Sequence, residues 1–289
     1  MNEVLGAVWV EQLVRLQLGI APADALGGPR HLLDLEVFGE DVPKPHRVPR
    51  SYRLSDPSIG LPRLRRTPSG RYSIVFGSAR STKQRAVVRL VDRRGGFVPR
   101  RLSIPMPQLV AVKTNERDTN VDPAAPRLSR ACRPLVFPAM GYGTPAGATV
   151  LRGRATWGAG GPPAQWVRVA AALKGENAPA WLGQGDQNGE FLVFIGAIPL
   201  ALAKASSATL DIKVTVRARP VPPATEPVDS PAATRDDPLW HLPVERVGTL
   251  TATDPVTRGT RVPPGYTSRL SRTVTCPRGA ATPLLTFVF

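Results

Sequence analysis

The chain is poor in the residues that most site chemistry requires. In 289 residues it has two cysteines, Cys132 and Cys276, and three histidines, His31, His46 and His241. The cysteines are too widely separated for a zinc knuckle or a Cys-x-x-Cys redox motif, and two of them do not make a disulfide framework. One long-range bridge or two separate thiols are the readings left. No His-x-His or His-x-x-x-His spacing occurs, so no metal centre is expected. A Gly-x-Ser-x-Gly elbow, a Walker loop and a dinucleotide fingerprint are also missing, so no catalytic residue and no cofactor is assigned. About 18 apolar residues in a row would suggest a membrane span, and no such run is found. The opening Met1-Asn2-Glu3-Val4-Leu5-Gly6 has neither the basic region nor the cleavage pattern of a signal peptide. The expectation is a cytoplasmic protein, soluble or built into a particle.

What is abundant points to strands. Proline (32) and glycine (26) follow no collagen-like period, and breakers at that density leave little room for long helices. Lys plus Arg (38) exceeds Asp plus Glu (22), giving a net charge of +16 carried mostly by arginine. Such an excess suits an anionic partner, or a basic surface that uses arginine for protein contacts. The basic residues are spread out, with short runs only at Arg63-Leu64-Arg65-Arg66, Arg93-Arg94 and Arg100-Arg101. Aromatics make up 6% and do not interleave with those runs, as a platform for single-stranded nucleic acid would require. Nucleic acid is therefore not the favoured partner.

Along the chain, apolar alternation over Val8–Leu18 suits a half-buried strand, although Trp9 and Leu13 leave a helical start open. His31–Phe38 alternates again, and Asp41–Leu64 is a proline-punctuated arm. A hairpin region follows. Pro68-Ser69-Gly70 is a turn, Arg71–Gly77 and Arg85–Asp92 are strands, and Gly95-Gly96 turns into an extended Phe97–Ile104. Thr114–Pro134 shows no period and reads as an excursion. A second regular block has strands over Thr149–Trp157, Trp166–Leu173, Glu190–Gly196 and Ala208–Arg217, with turns at Gly158–Pro163 and Asp186–Gly189. Pro220–Asp237 is the best linker candidate. Beyond it lie the strand-like Val247–Thr253 and the apolar Leu284–Phe289, too greasy to leave in water, which adds to a sheet of its own fold or of a neighbour's.

Two segments match position by position: Ser69–Gly77 and Asn188–Gly196 each have a turn glycine, an aromatic two residues on, an apolar run and a closing glycine. The expected fold class is therefore all-β, with two tandem β-sandwich units (Ig/transthyretin-like), proline-rich arms and a C-terminal strand extension. The repeat itself spans about 10–106 and 147–218. In full, unit one with its inserted arm is expected over 1–110, an excursion over 111–146, unit two over 147–218, and a linker plus extension over 219–289.

The order Val150-Leu151-Arg152-Gly153-Arg154, a Gly/Pro turn, Val167-Arg168-Val169, then Asp186-Gln187-Asn188-Gly189-Glu190-Phe191 resembles the carboxypeptidase regulatory-like (transthyretin-like) sandwich. The likeness covers about 70 residues; in the first unit the acidic turn residue is missing. It implies a seven-stranded accessory sandwich without catalysis of its own. By architecture alone, tandem units of this kind also resemble accessory parts of phage-tail-like and contractile injection machines.

The Asp186–Glu190 group has too few alternate ligands for a calcium loop and reads as turn chemistry. Trp157, Trp166 and Trp181 suit packing between sheets better than a sugar platform. The expected function is that of a non-enzymatic structural subunit, homo- or hetero-oligomeric, with a virion or injection machine as the kind of assembly. Its candidate assembly contacts are Leu284, Leu285, Phe287, Val288 and Phe289. The alternative is a binding module for an anionic polymer, nucleic acid or polysaccharide, carried by the +16 charge.

Overall fold

The structure, a computed structural model, describes residues 16–26, 35–40, 63–68, 70–76, 84–108, 110–112, 114, 129–176, 178–196, 208–220, 239, 242–250, 256–257 and 263–289. All three histidines lie outside the described residues, as do residues 8–15 of the first expected strand, nearly all of the arm 41–64 and most of the linker 220–237.

The fold is all-β, as expected. Early in the chain come β1 (Leu16–Ile20), β2 (Ala23–Asp24), β3 (Leu35–Gly39), β4 (Tyr72–Phe76), β5 (Arg85–Asp92), β6 (Arg100–Pro105) and β7 (Ala131–Val136). The middle supplies β8 (Thr149–Thr156), β9 (Arg168–Leu173), β10 (Trp181–Gln184), β11 (Glu190–Ile195) and β12 (Thr209–Ala218). The last stretch gives β13 (Val244–Arg246), β14 (Val256–Thr257), β15 (Ser268–Pro277) and β16 (Leu285–Val288).

These strands form four sheets: β14-β7-β1-β4 with β2 also on β7, β13-β6-β5-β3, β10-β9-β12-β15, and β11-β8-β16. The first two enclose one core, with Leu18, Ile20, Ile74, Cys132 and Val136 facing Val37, Val88, Leu90, Leu102 and Ile104. The other two enclose a second core, with Leu151, Ala155, Phe191 and Phe287 facing Val169, Ile212, Val214 and Cys276. Period-two patterning explains the second pair well. On β12 the inward Leu210, Ile212, Val214, Val216 and Ala218 are all buried and their neighbours are wetter. By contrast β5 is buried over Ala86–Val91, so both of its faces are covered.

Several expectations need correction. Tyr72–Phe76 pairs antiparallel with β1 and not with β5, so the two strands read as neighbours belong to different sheets. The true hairpin is β5–β6, whose turn is fastened by Asp92: its carboxylate accepts from the backbone N–H groups of Arg94, Gly96 and Phe97. The excursion assigned to 111–146 contains β7, which carries β14 on one side and β1 and β2 on the other. Pro134 had argued against a strand there. The carbonyls of Arg130, Cys132 and Val136 accept from Gly19, Ala21 and Ala25, so Pro134, in the same phase, points its N–H-less nitrogen at the gap between β1 and β2.

The extension assigned to 219–289 supplies a strand to every sheet: β13 to β6, β14 to β7, β15 to β12 and β16 to β8. The observed strand at Val244–Arg246 also displaces the one expected over Val247–Thr253, of which 251–253 lie outside the described residues.

The pairings of the two halves correspond. Antiparallel β1–β4 is matched by β8–β11, and β3–β5 by β9–β12. Antiparallel β5–β6 is matched by β12–β15, and parallel β1–β7 by β8–β16. Tyr72–Phe76 and Glu190–Ile195, the strands within the two matching segments, thus hold equivalent places, one laid against β1 and the other against β8.

Candidate functional site

The last strand was the sequence's own candidate, and the structure divides its residues. Running parallel to β8, β16 places Leu285 beside Gly153 and Phe287 beside Ala155. Leu285 and Phe287 (3% exposed) point into the second core, where Phe287 meets Phe191 at 5.8 Å. Phe289 is half-buried against Trp157 at 5.2 Å, and its backbone N–H donates to the Thr156 carbonyl. Leu284 and Val288 face outward, 53% and 43% exposed. The strand therefore adds to its own fold, and it offers two of its five named residues to the outside.

Local chemistry explains how β16 finds this place. Gly153 leaves the room on β8 that the Phe191 ring fills; a methyl there would overlap that ring. Across the strands, the Arg272 guanidinium lies 5.1 Å from the Phe287 ring centre and donates to the Thr286 carbonyl at 3.3 Å, closing the sandwich between β15 and β16. Both strands end their sheets among the described residues, and both lie on the side away from β10 and β11. Among the described residues no further strand pairs on that side of the second half.

The Asp186 turn behaves as expected. Its carboxylate accepts from the backbone N–H groups of Asn188 (2.8 Å) and Glu190 (3.0 Å). Burial raises its pKa even so, against those backbone bonds and the Arg154 charge. Gly189 has a φ of 71° and approaches the Ala155 carbonyl so closely that a Cβ would overlap it, which fixes glycine at this point of the turn. Among the described residues no group of three His, Cys, Asp or Glu side chains could hold a metal. Cys132 and Cys276 are buried in different cores and are not joined, and burial pushes the Cys276 thiol up.

What the sequence reading missed is a buried ionic seam. On the outward face of β5 and β6, Arg89 and Arg101 stand directly opposite one another and both bond Glu40. On the other face of β6, in phase with Leu102, Arg100 grips Glu245 with two bonds, Nε at 3.0 Å and Nη2 at 2.6 Å. Arg168, at the start of β9, reaches the same Glu245 at 3.1 Å, so this carboxylate ties the two halves together. Burial would raise the Glu245 pKa, but Arg100 and Arg168, with a bond from Gln184, outweigh it and hold the carboxyl below its usual range. Trp166 plugs the seam among Phe38, Val98 and Leu242, at a φ of 58° that no other described non-glycine residue shares in sign. Its carbonyl accepts from Tyr266 Oη (2.7 Å) and Arg168 Nη1 (3.2 Å). The available signal was the excess of arginine inside strands: Arg89, Arg100, Arg101 and Arg168 all sit within strand patterns that should not bury lone charges.

No helix of the described residues is long and apolar enough to cross a membrane. No family model, no curated protein and no solved structure matches the chain.

Proposed function

We propose that the chain is a non-enzymatic structural subunit of a multi-protein assembly and acts through protein–protein contacts made on the β15–β16 side of its second half. The observation that carries this reading is the pairing of two sheet edges, β15 and β16, on one side, with Leu284 and Val288 exposed beside them. Sheet edges and outward apolar side chains are what another polypeptide covers. The ionic seam fits a subunit that transmits load, because Glu245 fixes one half against the other. The resemblance to regulatory-like accessory sandwiches, and the architectural likeness to parts of phage-tail-like injection machines and virions, agree with it.

Mass measurement by light scattering after size exclusion tests the reading, on the purified chain and on native extract. A native species several times the mass of the chain is expected. The double variant Leu284→Asp/Val288→Asp, which should fold because neither side chain is in the core, is expected to drop out of that species. A monomer in native extract, or unimpaired incorporation of the double variant, overturns the reading.

The second reading, a module for an anionic polymer, is favoured by the exposed Arg269 and Arg154 on the same half. Retention on heparin that falls steeply with salt is its signature.

A further inference from the structure

The strand register aligns three arginines. In the sheet β10-β9-β12-β15, Gln184 is opposite Arg168, Arg168 opposite Arg217, and Arg217 opposite Arg269. One row across the sheet thus carries arginine on three successive strands, with backbones about 4.8 Å apart. The row begins in the seam, where Arg168 is buried beside Glu245, and ends on β15, where Arg269 is exposed. Like charges directly opposite one another weaken a sheet. Arg217 and Arg269 have no ion pair with any described residue.

The other half of the molecule holds the same juxtaposition with its remedy in place. Arg89 and Arg101 are opposite one another on β5 and β6, the counterparts of β12 and β15, and Glu40 bonds both. Among the described residues, the second half has the two arginines without the carboxylate. It also has what the carboxylate could arrive on. At ten residues, β15 is among the longest strands, and it pairs only with β12 among the described residues.

We propose that the β15 edge is a docking site for an extended acidic segment of a partner polypeptide, which adds beside β15 as the next strand and sets a carboxylate opposite Arg269. The inference rests on the assembly reading and names the partner's chemistry. An added strand obtains its affinity from main-chain hydrogen bonds and its selectivity from alternate side chains. Its outward residues continue the row of Arg168, Arg217 and Arg269 and should be acidic; its inward residues face the side of Leu270 and Val274, where Arg272 is already laid over the Phe287 ring, and should be apolar. A second copy of this chain would bring +16 against +16. A nucleic acid would find Lys213 with Thr215, Ser271 and Thr273 on the same face, and among the described residues of this face no ring to stack on.

The test uses the full chain and a labelled, end-capped peptide of alternating Glu and Val, as long as β15, read by fluorescence anisotropy. Expected are saturable binding at low salt, weakening at high salt, and no binding of the Lys–Val counterpart. Arg269→Glu should weaken the Glu–Val peptide about tenfold or more, with the thermal transition of the variant showing that it is folded. N-methylation of alternate peptide nitrogens should abolish binding, because it removes strand pairing while keeping the charges. No binding at low salt would make Arg269 a guard against edge pairing and overturn the proposal. Equal binding of both peptides, an unaffected Arg269→Glu variant, undiminished binding of the N-methylated peptide, or tighter Arg269-dependent binding of oligo-dT would also overturn it. If the peptide fails while the native species stays large, only this docking site falls; a monomer in native extract removes the assembly reading whatever the peptide does.

Discussion

The two halves pair their strands in the same order yet treat charge in opposite ways. In the first, the outward face of β5 and β6 is covered, and Arg89, Arg101 and Glu40 are almost wholly removed from water. In the second, the outward face of the corresponding β12 and β15 is left wet, with Lys213 and Arg269 exposed. One strand plan therefore serves either as an internal wall or as an outer surface. What decides is whether an acid is supplied from within. Glu40, one residue beyond β3, is the supply in the first half; β9, the counterpart of β3, ends at Leu173 with no acid bonded to the row's exposed end.

Substitutions can break this contrast or sharpen it. The largest effect is expected for Glu40→Gln, which leaves two buried guanidinium groups facing each other; a loss of about 3–5 kcal/mol is expected from urea unfolding. A loss under about 1 kcal/mol would mean that the first half tolerates bare arginines as the second does. Phe287→Ala should cost about 3 kcal/mol or slightly more, the cost of a cavity beside Phe191 in the second core. For the same reason, deleting Leu284–Phe289 would unfold the second half and so is a poor test of assembly.

Gly153→Ala should cost about 1–3 kcal/mol because the methyl and the Phe191 ring claim one space. Gly19→Ala, on the counterpart strand β1, has 3.6 Å to the nearest atom, the Arg130 carbonyl oxygen, and should stay within about 0.5 kcal/mol. Equal costs at the two glycines would remove this difference between the halves.

A graded effect belongs to Glu245. Its pKa in the fold lies below the usual 4.5, so its contribution is complete above that value and is lost as pH falls through the lower folded value. Stability against pH should therefore slope downward on the acid side, and Glu245→Gln, followed by thermal unfolding over the same range, should flatten the slope. The smallest effect is expected for Arg269→Gln: within about 0.5 kcal/mol and on the stabilising side, since Arg217 loses a like-charged neighbour. A clear loss there would show that the row is already satisfied within the chain.

Much of this architecture is legible in the residues because alternation is a local signal. Leu210, Ile212, Val214 and Val216 announce β12, and Asp186 with Gly189 announces its turn. β15 was not read as a strand although Leu270, Val274 and Cys276 alternate with Arg269, Thr273 and Thr275, because Arg272 breaks the apolar phase between Leu270 and Val274. Partnership is another matter. Nothing in Tyr72–Phe76 says that it lies against β1, or in Ala131–Val136 that it lies parallel to the same strand, because those pairings are made over long separations and depend on which faces are already covered. The seam escaped the sequence for the same reason: Glu245 meets Arg100 from 145 residues away. Of the candidate contacts, the apolar character of Leu284–Phe289 was legible and its division into inward Phe287 and outward Val288 was not, because that phase is set by β8.

The lateness of β13 and β14 bears on how the molecule is made. The first half has most of its strands once Val136 has left the ribosome, yet Thr257, which caps β7, follows 121 residues later. At typical rates of translation that is a wait of roughly 6–24 s with two strand flanks uncovered. During that interval the nascent chain is exposed to promiscuous pairing, and slowing elongation between the two positions should lengthen its dependence on chaperones.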